Sequence, residues 1–117
     1  MAIGAFSPYT LCTAIPYSTA APTQTYALTP IISGGPQPNA LMVTNPNQNN
    51  LVFLAWANDP LSPLTFAQVP TVGSPFQVYP IVNPSQIVIG NFPPTPYLCA
   101  ISLTGSGVIY VIAGEGL

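Results

Sequence analysis

The side chains that could carry out chemistry are few in this sequence. It contains no Lys, Arg or His, and its only acids are Asp59 and Glu115. General acid–base catalysis needs a group whose pKa can be brought near the working pH, so a glycosidase-like site would have to use these two carboxylates. Asp59 lies in Asn-Asp-Pro, where a carboxylate commonly organises a turn, and Glu115 lies between two glycines near the terminus. We therefore expect a protein that is not an enzyme.

The two cysteines form neither an activated nucleophile nor a metal site. Cys12 and Cys99 are far apart, and the sequence lacks the His that usually activates a catalytic thiol. No CxxC or Cys/His spacing indicates a metal, so we expect no metal and no cofactor. A disulfide would tie the N-terminal region to a late strand, but buried free thiols are the favoured interpretation in a reducing compartment.

The near-absence of charge is the strongest compositional feature. Charged residues make up 2% of the chain and apolar residues 49%, whereas an average soluble domain is about 25% charged. Proteins near zero net charge tend to associate, so this chain is expected to enter a larger assembly. The lack of Lys and Arg argues against direct nucleic-acid binding, and the apolar runs are too short for a membrane-spanning helix. The start of the chain lacks a signal-sequence pattern, so assembly in the cytoplasm is expected.

Short apolar runs separated by Pro, Gly and Asn predict strands instead of helices. At 117 residues the chain fits one domain. The fold predicted for residues 25–117 is all-β, an antiparallel β-sandwich or jelly roll of about seven or eight short strands. Residues 1–24 are rich in proline, which disfavours helices and central strands, and are predicted to form an extended N-terminal arm.

Two β-hairpins are predicted within this sandwich. Residues 41–45 and 51–57 flank a stretch rich in Asn, and residues 97–103 and 107–113 flank Thr-Gly-Ser. The second strand of each hairpin is apolar on both faces, whereas antiparallel sheets normally leave one face to water. In so short a chain, another molecule is expected to cover the second apolar face of these strands.

Eight residues are candidates for the interface with that molecule. They are tyrosines of the N-terminal region and residues of the apolar strands, namely Tyr9, Tyr17, Tyr26, Val52, Leu54, Trp56, Ile109 and Val111. A second set of aromatic residues could instead stack on a sugar, although aromatic side chains also fill the strand faces of any small β-sandwich. This set consists of Trp56, Tyr79, Tyr97 and Tyr110.

Three stretches carry a resemblance to a known class of protein. They are Val-Thr-Asn-Pro-Asn from Val43, Tyr-Leu-Cys-Ala-Ile-Ser-Leu-Thr-Gly-Ser-Gly-Val-Ile-Tyr-Val from Tyr97, and Gly-Glu-Gly from Gly114. Over residues 39–117 their order resembles small β-sandwich virion proteins of tailed double-stranded DNA phages, of the capsid decoration or cement type. The resemblance implies a structural protein on the capsid surface that bridges and stabilises coat subunits. Its implied partners are the major capsid protein and further copies of itself.

Two other functions remain open at this point. One is a glycan-binding adhesin or fibre-tip module of a phage, and the other is a soluble secreted lectin. A fibre-tip module is present in few copies per particle and a cement protein in many, so the copy number separates these two functions. A disulfide between Cys12 and Cys99 would favour the secreted lectin.

Overall fold

The architecture is a β-sandwich of two antiparallel sheets, which confirms the predicted fold class. The structure is a computed structural model that describes residues 7–31, 34, 38–46, 50–81 and 97–115, and the backbone of residues 85–90. The strands are β1 (Ser7–Pro8), β2 (Thr13–Tyr17), β3 (Tyr26–Ala27), β4 (Ala40–Asn45), β5 (Val52–Ala57), β6 (Tyr79–Ile81), β7 (Ser85–Gly90), β8 (Tyr97–Ser102) and β9 (Gly107–Glu115), and helix α1 is Ser62–Phe66.

Sheet A consists of β1, β2, β9, β4 and β7. Strands β1 and β2 pair one after the other with the same side of β9, while β4 pairs with its other side and β7 follows β4. Sheet B consists of β3, β8, β5 and β6 in that order. Neighbouring strands in both sheets are antiparallel.

Both predicted hairpins are wrong in their pairing, although their strands are present. Strand β4 pairs with β7 and β9 in sheet A, whereas β5 pairs with β6 and β8 in sheet B. Strands β8 and β9 are likewise divided between the sheets. Each connection is therefore an arch that crosses from one sheet to the other, and consecutive strands face each other across the core.

Side-chain hydrogen bonds hold these two arches in place. The Asn45 Nδ2 group, almost fully buried, donates to the carbonyl oxygens of Asn50 at 3.2 Å and Ile81 at 3.3 Å. At the second arch, Ser102 Oγ donates to the Gly105 carbonyl at 2.6 Å. Gly105 has φ +73°, a left-handed conformation that glycine adopts without steric cost. These bonds satisfy polar groups at the points where the chain leaves the hydrogen-bonded strands.

The N-terminal region is part of the sandwich, not a separate arm. Residues 7–17 contribute β1 and β2 to sheet A, and the side chains of Ile15 and Tyr17 lie in the core. This differs from the predicted arm of residues 1–24, because residues 7–17 already belong to the sandwich. Residues 1–6 lie outside the described part of the chain.

Edge positions explain why this proline-rich segment can form strands. Ala113 of β9 donates its N–H to Thr10 Oγ1 at 2.9 Å and accepts from the Thr10 N–H at 3.1 Å, so both its backbone groups point toward β1 and β2. Backbone groups alternate in direction along a strand. Val108 lies five positions before Ala113 in β9, so its backbone groups point the opposite way, toward β4. Pro16 opposes Val108, and its missing N–H would have pointed away from the sheet. Proline is tolerated at such edge positions.

The main core lies between the sheets, and its clustered side chains are apolar except for the Tyr17 hydroxyl, which accepts a hydrogen bond from Asn50 Nδ2 at 2.9 Å. Two buried polar side chains, Asn45 and Ser102, lie on the same inward faces of β4 and β8. Its buried members come from both sheets and are Ile15, Tyr17, Leu41, Val43, Val52, Leu54, Ile81, Leu98, Ala100, Ile109, Val111 and Ala113.

A second apolar cluster covers the outer face of sheet B. Phe53, Ala55, Cys99 and Ile101 point away from the main core and are buried by α1 and the chain that follows it, residues 61–78. The apolar outer face of β5 is therefore covered by this chain itself. The expectation that another molecule supplies this cover is wrong for sheet B, because a five-residue helix and an irregular segment are enough to bury the strand.

Candidate functional site

Most described side chains on the outer face of sheet A are half-buried or exposed, and Ala40, at one end of this face, is an exception at 2% exposed. Residues directly opposite each other in an antiparallel sheet share a face, so the register places Ala14, Tyr110 and Thr44 in one row across the sheet. We call this surface the open face. It consists of Ala14 and Pro16 of β2, Met42 and Thr44 of β4, and Val108, Tyr110 and Ile112 of β9.

The open face carries no formal charge and differs sharply from the outer face of sheet B. Ala14 and Pro16 are exposed, and Tyr110 at its centre is 43% exposed. No buried cluster of described residues lies on this side of sheet A, and α1 packs on β5 and β8 instead. The surface is suited to apolar contact with a partner and offers no site for an ion pair.

Five of the eight predicted interface residues lie in the main core. Val52, Leu54, Ile109 and Val111 have no exposed surface, and Tyr17 is 4% exposed. Their side chains cannot reach a partner while the sandwich is folded, which corrects the prediction at these positions. The cause is that they lie on the inward faces of β2, β5 and β9, where the two sheets pack against each other.

Tyr9 lies at the end of sheet A beside the last residue of β9. Its hydroxyl donates a 2.6 Å hydrogen bond to Glu115 Oε1. This bond, with smaller effects of burial and of the negative charge, raises the pKa of Tyr9 because ionisation would remove the donated proton and place two anions together. The pair joins β1 to β9 at the surface and leaves Glu115 engaged in a structural contact.

Trp56 and Tyr79 form an aromatic pocket at the β5–β6 side of the sandwich. Their ring centroids are 6.2 Å apart and the ring planes are inclined by 35°. Together with Leu54, Gln77 and Val78 they line a cavity of about 210 Å³. Tyr79 is 40% exposed, so the pocket is open to solvent on one side. It offers ring faces and one amide, which suits a small neutral ligand.

Tyr26 lines a different cavity, of about 250 Å³. The connection between β2 and β3, residues 18–24, forms most of its wall, with Tyr17 and Ala100 behind. Tyr26 is half-buried against the main core. The structure therefore separates Tyr26 from Trp56 and places them in different cavities.

Asp59 organises the turn before α1, as its sequence context predicts. Its Oδ2 accepts from the N–H groups of Leu61 at 3.2 Å and Ser62 at 2.9 Å, and its Oδ1 accepts from Ser62 Oγ at 2.6 Å. These bonds, led by that from the Ser62 hydroxyl, lower the pKa of Asp59 because they favour its ionised form. The carboxylate is engaged in capping the turn.

Both cysteines are free, and only one is buried as predicted. Cys99 lies in the cluster beneath α1, where burial raises its pKa to about 11. A thiol with so high a pKa is a poor nucleophile at neutral pH. Cys12 is exposed, in the short connection between β1 and β2, so the prediction of a buried thiol is wrong at that position.

Two features of these surfaces were missed at the level of sequence. The sequence gives no reason to single out Gln77, and it indicates Tyr110 only as a sugar-stacking residue. The signal for the open face is present in β9, where Val108, Tyr110 and Ile112 alternate with fully buried residues. It is weak because both faces of the strand are apolar, so hydrophobicity alone does not tell which face is inside.

Within the described residues, no group of three or more His, Cys, Asp or Glu side chains could hold a metal ion, and no helix is long and apolar enough to span a membrane. No family model, curated protein or solved structure matches the chain.

Proposed function

We propose that this chain is a non-catalytic structural protein of the capsid decoration type, which docks on the coat subunits of a virion through the open face. The observation that carries the proposal is the contrast between the two outer sheet faces. The chain covers the outer face of sheet B with its own residues 61–78, whereas the open face keeps an uncharged apolar surface.

The chemistry of the open face favours a permanent partner. Contiguous exposed apolar patches mark interaction sites, and obligate interfaces are more hydrophobic than transient ones. Because none of the residues of the open face is charged, ion pairs cannot supply the affinity of this surface. The proposed occupant is therefore a low-charge surface of a coat subunit, and the contact should depend little on salt concentration.

The engagement of the two acids also supports a structural role. Asp59 is held by its turn and Glu115 accepts the Tyr9 hydroxyl. Each carboxylate therefore stabilises a local contact, and we propose no catalytic function for either. The capsid surface as the location rests on the resemblance of residues 39–117 to decoration proteins.

Placing lysine at the centre of the open face is expected to prevent docking. Tyr110→Lys keeps a partly exposed position but would require a charge to be desolvated against the coat subunit. Leu103→Lys is the control, because Leu103 is 54% exposed in the β8–β9 arch and lies off the open face. Gradient-purified virions carrying each variant are analysed by quantitative mass spectrometry for the ratio of this chain to the major capsid protein.

The expected ratio for Tyr110→Lys is at least about tenfold below that of the wild type, which corresponds to a loss of about 1.4 kcal/mol, with Leu103→Lys unchanged. Equal incorporation of the two variants would remove the open face from the proposal. A wild-type chain absent from the particles, or a free dimer whose open faces are mutually buried, would overturn docking on the coat subunit.

A second candidate function, glycan binding, is favoured by the aromatic pocket. Trp56 and Tyr79 present inclined rings, and Gln77 adds a hydrogen-bonding amide, in a cavity of about 210 Å³. Sugar rings bind through their apolar faces to aromatic side chains and through their hydroxyls to amides. The residues that line the pocket are uncharged, which favours a neutral sugar.

The sugar hypothesis predicts that Tyr79→Ala weakens binding of a neutral disaccharide. The probes are lactose and maltose, observed by saturation-transfer-difference NMR. Because aromatic contacts contribute about 0.5–1.5 kcal/mol, we expect the dissociation constant to rise by about two- to thirteenfold, while Tyr110→Ala leaves it unchanged. The absence of a saturation-transfer signal with the wild-type protein, or equal binding by both variants, would reject this function.

A further inference from the structure

The edge strands of the two sheets differ in how they are protected from pairing with another chain. An unpaired edge is a template for strand addition, and proline or a very short strand blocks it. Pro8 and Pro16 lie on the β1–β2 edge, Pro80 lies in β6, and β3 is two residues long. Strand β7 differs from these three edges. It is six residues long, with the sequence Ser-Gln-Ile-Val-Ile-Gly, and contains neither proline nor charge.

The hydrogen-bonding directions in β9 and β4 show which backbone groups of β7 point outward. Ala113 bonds toward β1, so Gly114 bonds toward β4, and its carbonyl accepts from the Asn39 N–H at 2.9 Å. Gly114 opposes Ala40. Ala40 and every second residue after it therefore bond to β9, and the alternate residues of β4, beginning with Leu41, bond toward β7.

The same alternation applies to β7 itself. Leu41 opposes Ile89, so Ile89 and the residues two and four positions before it bond toward β4. Gln86, Val88 and Gly90 therefore direct their N–H and C=O groups away from the sheet. Among the described residues, β7 pairs with β4 alone.

We propose that β7 pairs with β7 of a second copy of this chain, antiparallel, about a two-fold axis at Val88. A two-fold axis perpendicular to the sheet keeps each face on its own side, so the axis must lie midway between one residue and its own copy in the partner strand. With the axis at Val88, Gln86 opposes Gly90 of the partner subunit, and every outward-pointing residue falls in a hydrogen-bonded pair. With the axis at Ile87, Gly90 would have no partner in the opposite β7.

A second copy is the occupant that fits this edge best. Its β7 has the same length and directs the same backbone groups outward, so it can pair with every outward-pointing donor and acceptor of the strand. The strand has no ionisable side chain, and its copies meet without like-charge repulsion. Sheet A would then run continuously through both subunits and join their open faces into one surface. This inference goes beyond the proposed function and does not depend on it.

Proline at Val88 tests the pairing directly. The lost N–H points away from β4, so Val88→Pro removes no bond of the subunit but breaks the central pair of the dimer. Ala14→Pro is the matched control, because Ala14 neighbours Pro16 on the opposite edge of sheet A and opposes Tyr110, whose backbone groups bond toward β4. Sedimentation velocity over a concentration series is expected to give a dimer for the wild type and Ala14→Pro, and a monomer for Val88→Pro.

Amide hydrogen exchange in the wild-type protein tests the same contact without a substitution. In a single subunit, the N–H groups of Val88 and Ala14 both point outward and should exchange quickly. In the proposed dimer the Val88 amide becomes protected as protein concentration rises, and the Ala14 amide does not. A dimer in which Val88 exchanges as fast as Ala14, or a wild-type monomer at all concentrations, would overturn the pairing. Loss of the dimer with retained incorporation into virions would leave the docking proposal in place.

Discussion

Replacing Ala55 with aspartate is expected to remove most of the folding stability. Ala55 is 1% exposed on the outer face of sheet B, where it lies in one buried cluster with Ala67 and Cys99. A carboxylate at this position would be buried without a cation, since the chain contains none. An unpaired buried charge costs about 3–5 kcal/mol, which is comparable with the total stability of many small domains.

Ala14→Asp is the matched control for this substitution. Ala14 is also an alanine on the outer face of a strand, but it is exposed on the open face of sheet A. The same change there is expected to alter the unfolding free energy by only about 0.5 kcal/mol. Urea denaturation at one fixed protein concentration measures both variants. Similar losses at the two positions would contradict the distinction between a covered and an open outer face.

The four strands of the two predicted hairpins could be predicted from the sequence, but their distribution between the sheets could not. The apolar runs that form β4, β5, β8 and β9 are bounded by Asn, Pro or Gly, and the predicted boundaries agree with the observed ones within two residues. The stretch between β4 and β5 is compatible with either a hairpin or an arch. The choice is made by distant contacts, such as the bond from Asn45 to the Ile81 carbonyl, which no local pattern reveals.

The cover of sheet B shows a different limit of sequence interpretation. The two apolar faces of β5 correctly indicated that both sides are buried. The covering segment, residues 61–78, was not recognised because its helix is only five residues long and begins with a Ser-Pro pair. A helix of that length has no measurable 3.6-residue period. The sequence pattern therefore predicts a cover from another molecule, whereas the cover lies a few residues further along the same chain.

The choice of interface residues failed for a related reason. In β9 the inward residues Ile109 and Val111 and the outward residues Val108 and Ile112 are all β-branched and apolar. Period-2 alternation identifies a buried face only where the other face is polar. The sequence pattern therefore does not separate the inward candidates Ile109 and Val111 from the outward residues. Among the outward residues Val108, Tyr110 and Ile112, only Tyr110 carries a hydroxyl that distinguishes the outer face from the inner one.

Leu54→Ala separates the two roles that have been considered for Leu54. As a predicted interface residue it would be dispensable for folding. Its side chain, however, has no exposed surface and lies in the main core, and its strand β5 is central in sheet B, between β8 and β6. Truncation of a fully buried leucine removes its transfer free energy and leaves a cavity, at a cost of about 2–5 kcal/mol. We therefore expect a large decrease in the urea midpoint with an unchanged denaturant slope.

Tyr110→Ala is the control for this variant, because Tyr110 lies on the open face and is 43% exposed. Its loss is expected to cost less than about 1 kcal/mol of stability while impairing docking. Leu54→Ala should therefore lose mainly stability, and Tyr110→Ala should lose mainly docking. A Leu54→Ala protein of wild-type stability that fails to assemble would return Leu54 to the interface. It would also mean that the inward face of β5 is not the core, because a leucine buried between two sheets cannot be shortened without loss of packing.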